Sequence, residues 1–408
     1  MKIVIAPDSY KESLSAMQVA TEIEAGFREI FPDAEYVKIP VADGGEGTVQ
    51  AMIEATGGRR VELAATGPLG EPVQAFYGLT GGDVIAVIEM AAASGLELVA
   101  PALRNPLITT SFGTGELIRC ALDAGARRFI LGVGGSATND GGAGMLQALG
   151  VRLLDGQGAE LGPGGAELAR LQRIDVAQLD ARVRDCVFDI ACDVSNPLVG
   201  PQGASAIFGP QKGASAEVVQ QLDANLRHFA DVILRDLGQD VADIPGAGAG
   251  GGIAAAMMAF LGGHLRPGSE IVTEAVGLDQ AVRDADLVIT GEGRIDSQSV
   301  KGKTPVGVAR VAQRHGKPVI AVGGCLAADA AAVHGHGIDA VFAAVSRPCT
   351  VKEALDAAAV NLRSAARNIA ATLRLGAQVL ANRDAAKSGS VQSLPGSAAE
   401  AVTNELVD

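Results

Sequence analysis

Short apolar runs, each closing on a polar, glycine-rich stretch, recur along the chain and read as strands feeding functional loops. The first is KIVIA, followed by Tyr36–Val41, Phe129–Val133, Cys186–Ala191, DLVIT, KPVIAVGG and DAVFAAV. Between them, apolar positions recur at helical spacing: Val19, Ile23, Phe27 and Ile30 after Ser15, which forms a capping box with Gln18. Leu117, Ile118, Ala121 and Leu122 mark a second helix with Thr114 as its expected N-cap, and Val219 to Leu237 a third, capped by Ser215 and stopped at Gly238. Thr350 and Glu353 make a second capping box. From Arg59 to Met90 the texture changes to strand-like segments without helices, which predicts antiparallel hairpins. The pattern therefore predicts an α/β protein whose first domain, residues 1–65 and 275–376, is interrupted by an inserted mixed α/β domain over 66–274. Residues 377–408 are weakly patterned and read as a mobile tail.

Composition narrows the class. At 408 residues, 48% of them hydrophobic, the chain can bury a large core and suits two domains. A net charge of -14 argues against nucleic-acid or anionic-membrane partners, although local N–H nests and a few lysines still suit a phosphorylated ligand. Five scattered cysteines without CxxC spacing read as buried free thiols in a reducing cytosol, and the five histidines form no zinc pattern. No signal-like segment opens the chain and no apolar run would span a bilayer, so a cytoplasmic, unanchored protein is expected.

Chemistry-bearing residues gather in the strand-end loops. In FILGVGGSATNDGGAGMLQALG, Gly134 and Gly135 allow backbone N–H groups to approach an anion, with Ser136, Thr138, Asn139 and Asp140 beside them. The same stretch satisfies G-x-G-x-x-A at Gly132, Gly134 and Ala137, with Asp155 ending the next strand, which keeps an NAD-linked dehydrogenase as an alternative. Asp8, Ser9 and Lys11 follow the first strand, and Asp43 and Glu46 the second. Asp193 and Lys212 lie in one long irregular segment, of a length that usually signals function. Gly302-Lys303-Thr304 imitates a Walker A ending but has Ser297 where its first glycine belongs. The surrounding Glu292, Asp296, Lys301 and Lys303 still suit phosphoryl transfer. GAGAGGG reads equally as a phosphate cradle or a close-packing device.

APDSYKESLSA, VADGGEGT, GVGGSATNDGGAGMLQALG, CDVSNPLVGPQGASAIFGPQKGA, GAGAGGG and DLVITGEGRIDSQSVKGKTP, in this order, resemble the glycerate kinase family of bacterial sugar-acid and glyoxylate catabolism. The resemblance runs from Lys2 to about Gly376. It implies two α/β domains, one Rossmann- or flavodoxin-like and split in sequence, with the site in the cleft. The implied reaction is transfer of the ATP γ-phosphate to D-glycerate with Mg²⁺, giving 2-phosphoglycerate. On this reading Asp193, Asp296 and Lys303 are catalytic, with Asp193 and Asp296 also holding the metal. Asp8, Ser9, Lys11, Asp43, Glu46 and Glu292 are expected to bind glycerate, Lys11 through its carboxylate. Gly134, Gly135, Ser136, Thr138, Asn139, Asp140 and Lys212 are expected to hold nucleotide phosphates. The phosphorylated hydroxyl (2- or 3-phosphoglycerate), the general base and a homo-oligomeric state stay open at this point.

Overall fold

A computed structural model describes residues 1–82 and 84–389. Its strands, in chain order, are β1 (Lys2–Ile5), β2 (Glu35–Lys38), β3 (Arg59–Thr66), β4 (Pro72–Leu79), β5 (Ile85–Glu89), β6 (Arg128–Gly132), β7 (Arg152–Leu154), β8 (Arg173–Asp175), β9 (Val187–Ala191), β10 (His264–Arg266), β11 (Leu287–Ile295), β12 (Val319–Leu326) and β13 (Ala340–Ala343). Five of them form a wholly parallel sheet in the order β13-β12-β11-β1-β2. Numbered within the sheet this is 2-1-3-4-5, the flavodoxin-like order. Ile3, Val4 and Ile5 of β1 are buried, as a strand covered on both faces requires.

The chain between β2 and β11 builds the second sheet, β10-β9-β6-β5-β4-β3. There β10, β9, β6 and β5 run parallel, while β4 and β3 add the antiparallel edge that the hairpin texture predicted. Because β3 pairs with β4 from Arg59 onward, the chain is in this sheet from residue 59; the boundary expected at residue 65 would cut a continuous ladder. The two sheets share one apolar cluster, to which Val4 and Ala6 of the first and Val87, Ile130 and Ala191 of the second belong, together with Ile271 and Val306.

Both capping boxes form, at Ser15–Gln18 and Thr350–Glu353, and Ser215 caps the helix Ala216–Leu237, which ends at Gly238. Thr114 is not a cap. Its helix starts at Phe112, and the buried Thr114 hydroxyl lies 2.8 Å from that of Ser94. The C-terminal helix runs from Ala358 through Gly389, so the first part of the segment expected as a tail is helical, and the rest of 377–408 lies outside the described residues. This helix docks on Ala16–Arg28, where Leu362, Ala366 and Ile369 join Ile23 and Phe27 in one cluster. Gly26 sits at the crossing; a Cβ there would come within 2.4 Å of the Arg363 carbonyl oxygen.

Candidate active site

In the five-stranded sheet the strand order reverses between β1 and β11, so a crevice opens at their carboxyl ends. The β1–β11 ladder continues past the strand, with the Asp8 N–H donating to the Gly291 carbonyl (2.8 Å), which brings Asp8 alongside Glu292. Asp8 accepts from the Thr304 hydroxyl (2.6 Å), at the first turn of the helix Thr304–Arg314, and from the Ser9 N–H (2.7 Å). Burial, then the negative charge of Asp43 and Glu292, pushes the Asp8 carboxyl up to about 7. Burial also raises Glu292, against the opposing effects of the Ser299 hydroxyl, which donates to it, and Lys303, whose Nζ lies 3.5 Å away. Tyr10 anchors the following tight turn by donating to the Val322 carbonyl (2.8 Å). Asp8, Ser9, Lys11, Glu46, Glu292 and Lys303 line one cavity of about 620 Å³. Its far wall comes from the segment Ala344–Asn361, including Arg347.

A second cavity, of about 280 Å³, opens where the loops after β2, β6 and β9 meet. Gly134, Gly135, Ser136, Asp193 and Lys212 line it, and Asp43 belongs to both cavities. The Asp43 loop is held from the second sheet: the Glu89 carboxylate, at the end of β5, accepts from the Val49 N–H (2.9 Å) in the first turn of the helix Thr48–Thr56. Gly44 makes the approach possible, since its φ is +88° and a Cβ would come within 2.5 Å of Ala191 Cβ. Asp193 accepts from the Gly268 N–H (3.3 Å); burial, with Asp43 and Glu270 nearby, pushes it up to about 6. Lys212 is almost wholly enclosed and donates to the Ser136 hydroxyl (2.8 Å) and the Thr138 carbonyl (2.6 Å). Burial brings its ammonium down to about 7.

Several expected site residues lie behind these walls. Asp140 is fully buried and accepts from the Ser111 N–H and hydroxyl (both 2.8 Å), the Gly142 N–H (3.1 Å) and the Gly144 N–H (3.2 Å). Its oxygens are thereby committed to starting the helix Ala143–Ala148. Thr138 and Asn139 are fully buried as well, Asn139 donating to the Ser205 hydroxyl (2.9 Å); neither lines either of these two cavities. Asp296 is a turn former, accepting from the Gln298 N–H (2.9 Å) and facing Arg294 (3.4 Å), and it too lines neither cavity. In GAGAGGG, Ala249 and Gly250 reach the smaller cavity, while Gly251 packs on the Thr138 carbonyl.

Sequence reasoning missed Ser299 and Thr304 as the donors to Glu292 and Asp8, although both stand in the quoted stretch DLVITGEGRIDSQSVKGKTP. It also missed Arg347, for which no glycine-rich loop gives a signal. The cysteines are free but not buried: four are half-buried and Cys325 is exposed. No helix among the described residues is long and apolar enough to cross a membrane.

An α/β sheet presenting buried carboxylates and lysines at its switch point, beside a glycine-lined cradle, defines an enzyme of the small-molecule kinase class. The model of the glycerate kinase family matches residues 3–374. The chain is 61% identical to the glycerate 2-kinase of Escherichia coli (strain K12), over 92% of this chain and 99% of that one. It is 57% identical to the glycerate kinase of Bacillus subtilis (strain 168), over 92% and 98%. A solved crystal structure from Salmonella typhimurium LT2 superposes with a TM-score of 0.87 at 60% identity, covering 93% of this chain and 99% of that one. The chain belongs to the glycerate kinase family. The dehydrogenase alternative falls with this and with the geometry: no helix starts until Ala143, and Asp155 is spent on the Gln157 and Ala159 N–H groups and Arg170.

Proposed function

We propose that this enzyme transfers the γ-phosphate of ATP to the 2-hydroxyl of D-glycerate, giving 2-phosphoglycerate and ADP in the cytoplasm, within sugar-acid and glyoxylate catabolism. The observation that carries this reading is the meeting of two cavities at Asp43, one wide enough for a nucleotide and the other sized for a small acid. The 2-position follows the name of the Escherichia coli relative.

Asp193 is the general base. Its carboxyl titrates near 6, so it is ionised at neutral pH yet basic enough to take the proton from the attacking hydroxyl. Lys303, held 3.5 Å from Glu292, neutralises charge on the transferring phosphoryl group. Asp8 and Glu292 fix this lysine loop through Thr304 and Ser299.

The fit to magnesium rests on Asp43, the carboxylate that lines both cavities. No group of three or more His, Cys, Asp or Glu forms a metal cage among the described residues. Mg²⁺ in kinases takes one or two carboxylates and completes its shell with phosphates and water, so Asp43 would suffice to hold it, leaving Asp193 free to act as the base. When bound it supplies neutralisation of phosphate charge.

The test is ATP, Mg²⁺ and D-glycerate with purified chain, the product being fed to enolase without a mutase. Enolase accepts 2-phosphoglycerate, so phosphoenolpyruvate must appear; ADP release without it would assign the 3-position.

A further inference from the structure

The two cavities differ in size and in wall chemistry, and both differences bear on which substrate each accepts. The cavity of about 280 Å³ lies at or below the lower end of sites that take drug-sized ligands, roughly 300–1,000 Å³, while that of about 620 Å³ lies well inside the range. A nucleoside triphosphate needs the larger. The larger cavity also has an apolar wall of Val345, Pro348, Val351 and Leu355, suited to a flat heteroaromatic base, with Lys11, Arg294 and Arg347 as cations for a polyphosphate. The smaller has the Gly134-Gly135 backbone, the Ser136 hydroxyl and the enclosed Lys212, a set matched to one carboxylate and a hydroxyl.

We infer that the 620 Å³ cavity is the nucleotide site and the 280 Å³ cavity the glycerate site, with the phosphoryl group passing at Asp43, the residue they share. This rests on the kinase reading above and reverses the division expected from sequence, which gave glycerate to the Lys11 loop and phosphates to the Gly134 loop. It also puts the acceptor hydroxyl on the same side as Asp193, which lines only the smaller cavity. The nucleotide then lies against Ala344–Asn361, a segment outside every one of the glycine-rich loops.

Two substitutions separate the sites. At Gly134, which lines the smaller cavity, an added Cβ meets nothing within 4 Å, so Gly134→Ala adds a methyl group to that lining without a clash in the protein. Arg347→Ala removes a cation from the larger. Calorimetric titration of the full-length chain with D-glycerate, and separately with adenylyl imidodiphosphate plus Mg²⁺, reads both sites, and circular dichroism melts verify folding. The expected result is that Arg347→Ala weakens the nucleotide analogue about tenfold and leaves glycerate unchanged. Gly134→Ala should do the reverse. If Gly134→Ala weakens the analogue while Arg347→Ala weakens glycerate, the division is overturned and the kinase reading survives. If the unaltered chain binds neither ligand, the kinase reading itself fails, and the division with it.

Discussion

Replacing Asp8 by Asn should stabilise the free protein most at pH 8, less at pH 5, and hardly at all near pH 3. The Asp8 carboxyl is lifted from an ordinary value of 3.8 to about 7, chiefly by burial and then by Asp43 and Glu292. Its folded state therefore binds a proton more tightly than its unfolded state. Between pH of about 4 and 7 the folded protein holds more protons, so stability falls as pH rises through this window. Full ionisation against that shift costs about 4 kcal/mol, and because Asp8 keeps partial solvent contact we expect about 2–4 kcal/mol. Asn imitates the protonated acid: its oxygen accepts from the Ser9 N–H, and its amide donates to the Thr304 hydroxyl, which turns to accept. The variant should match the parent near pH 3, exceed it by about 1 kcal/mol at pH 5 and by about 2–4 kcal/mol at pH 8, with activity reduced. Urea unfolding followed by far-ultraviolet circular dichroism is the assay, since the chain has no Trp. Equal stability of the two proteins at pH 8, or a variant weaker there, would refute the account of Asp8 as an electrostatically costly site residue.

Three further outcomes are expected. Asp193→Asn should lower kcat about 10²–10⁴-fold and abolish the acid limb of the pH–rate profile, which in the parent falls as pH drops through about 6 because the base becomes protonated; an unchanged limb would exclude Asp193 as the base. Excess EDTA should abolish turnover and Mg²⁺ restore it, as the carboxylates of Asp43 and Asp193 add to the negative charge of a polyphosphate and a cation must offset it; turnover in EDTA would remove the metal from the reading. Gly26→Val should destabilise the protein by about 1–3 kcal/mol or more by wedging the C-terminal helix off Ala16–Arg28, measured by urea unfolding and by proteolysis within Ala358–Gly389. An intact helix with parent stability would contradict the crossing described.

The chain's local signals determined much of this architecture. Unbroken apolar runs such as KIVI became buried parallel strands, and Ser15 and Thr350 became caps, because each depends on neighbours a few residues away. The ordered motifs likewise carried the family, since each is contiguous. What tertiary structure alone decided is which polar residue in a glycine-rich loop faces a cavity and which is consumed inside the wall. Asp140 and Asp193 read alike in sequence, a carboxylate in a polar loop after a strand. Asp140 meets Ser111, 29 residues upstream, and is saturated; Asp193 meets one N–H from Gly268, 75 residues on, and keeps oxygens free for chemistry. Asp8 owes its raised carboxyl to burial and then to the charges of Asp43 and Glu292, the latter 284 positions along the chain, against the opposing hydrogen bond from Thr304. Burial and partnership of this kind are set by how sheets and helices close on one another, and no periodicity along the chain records them.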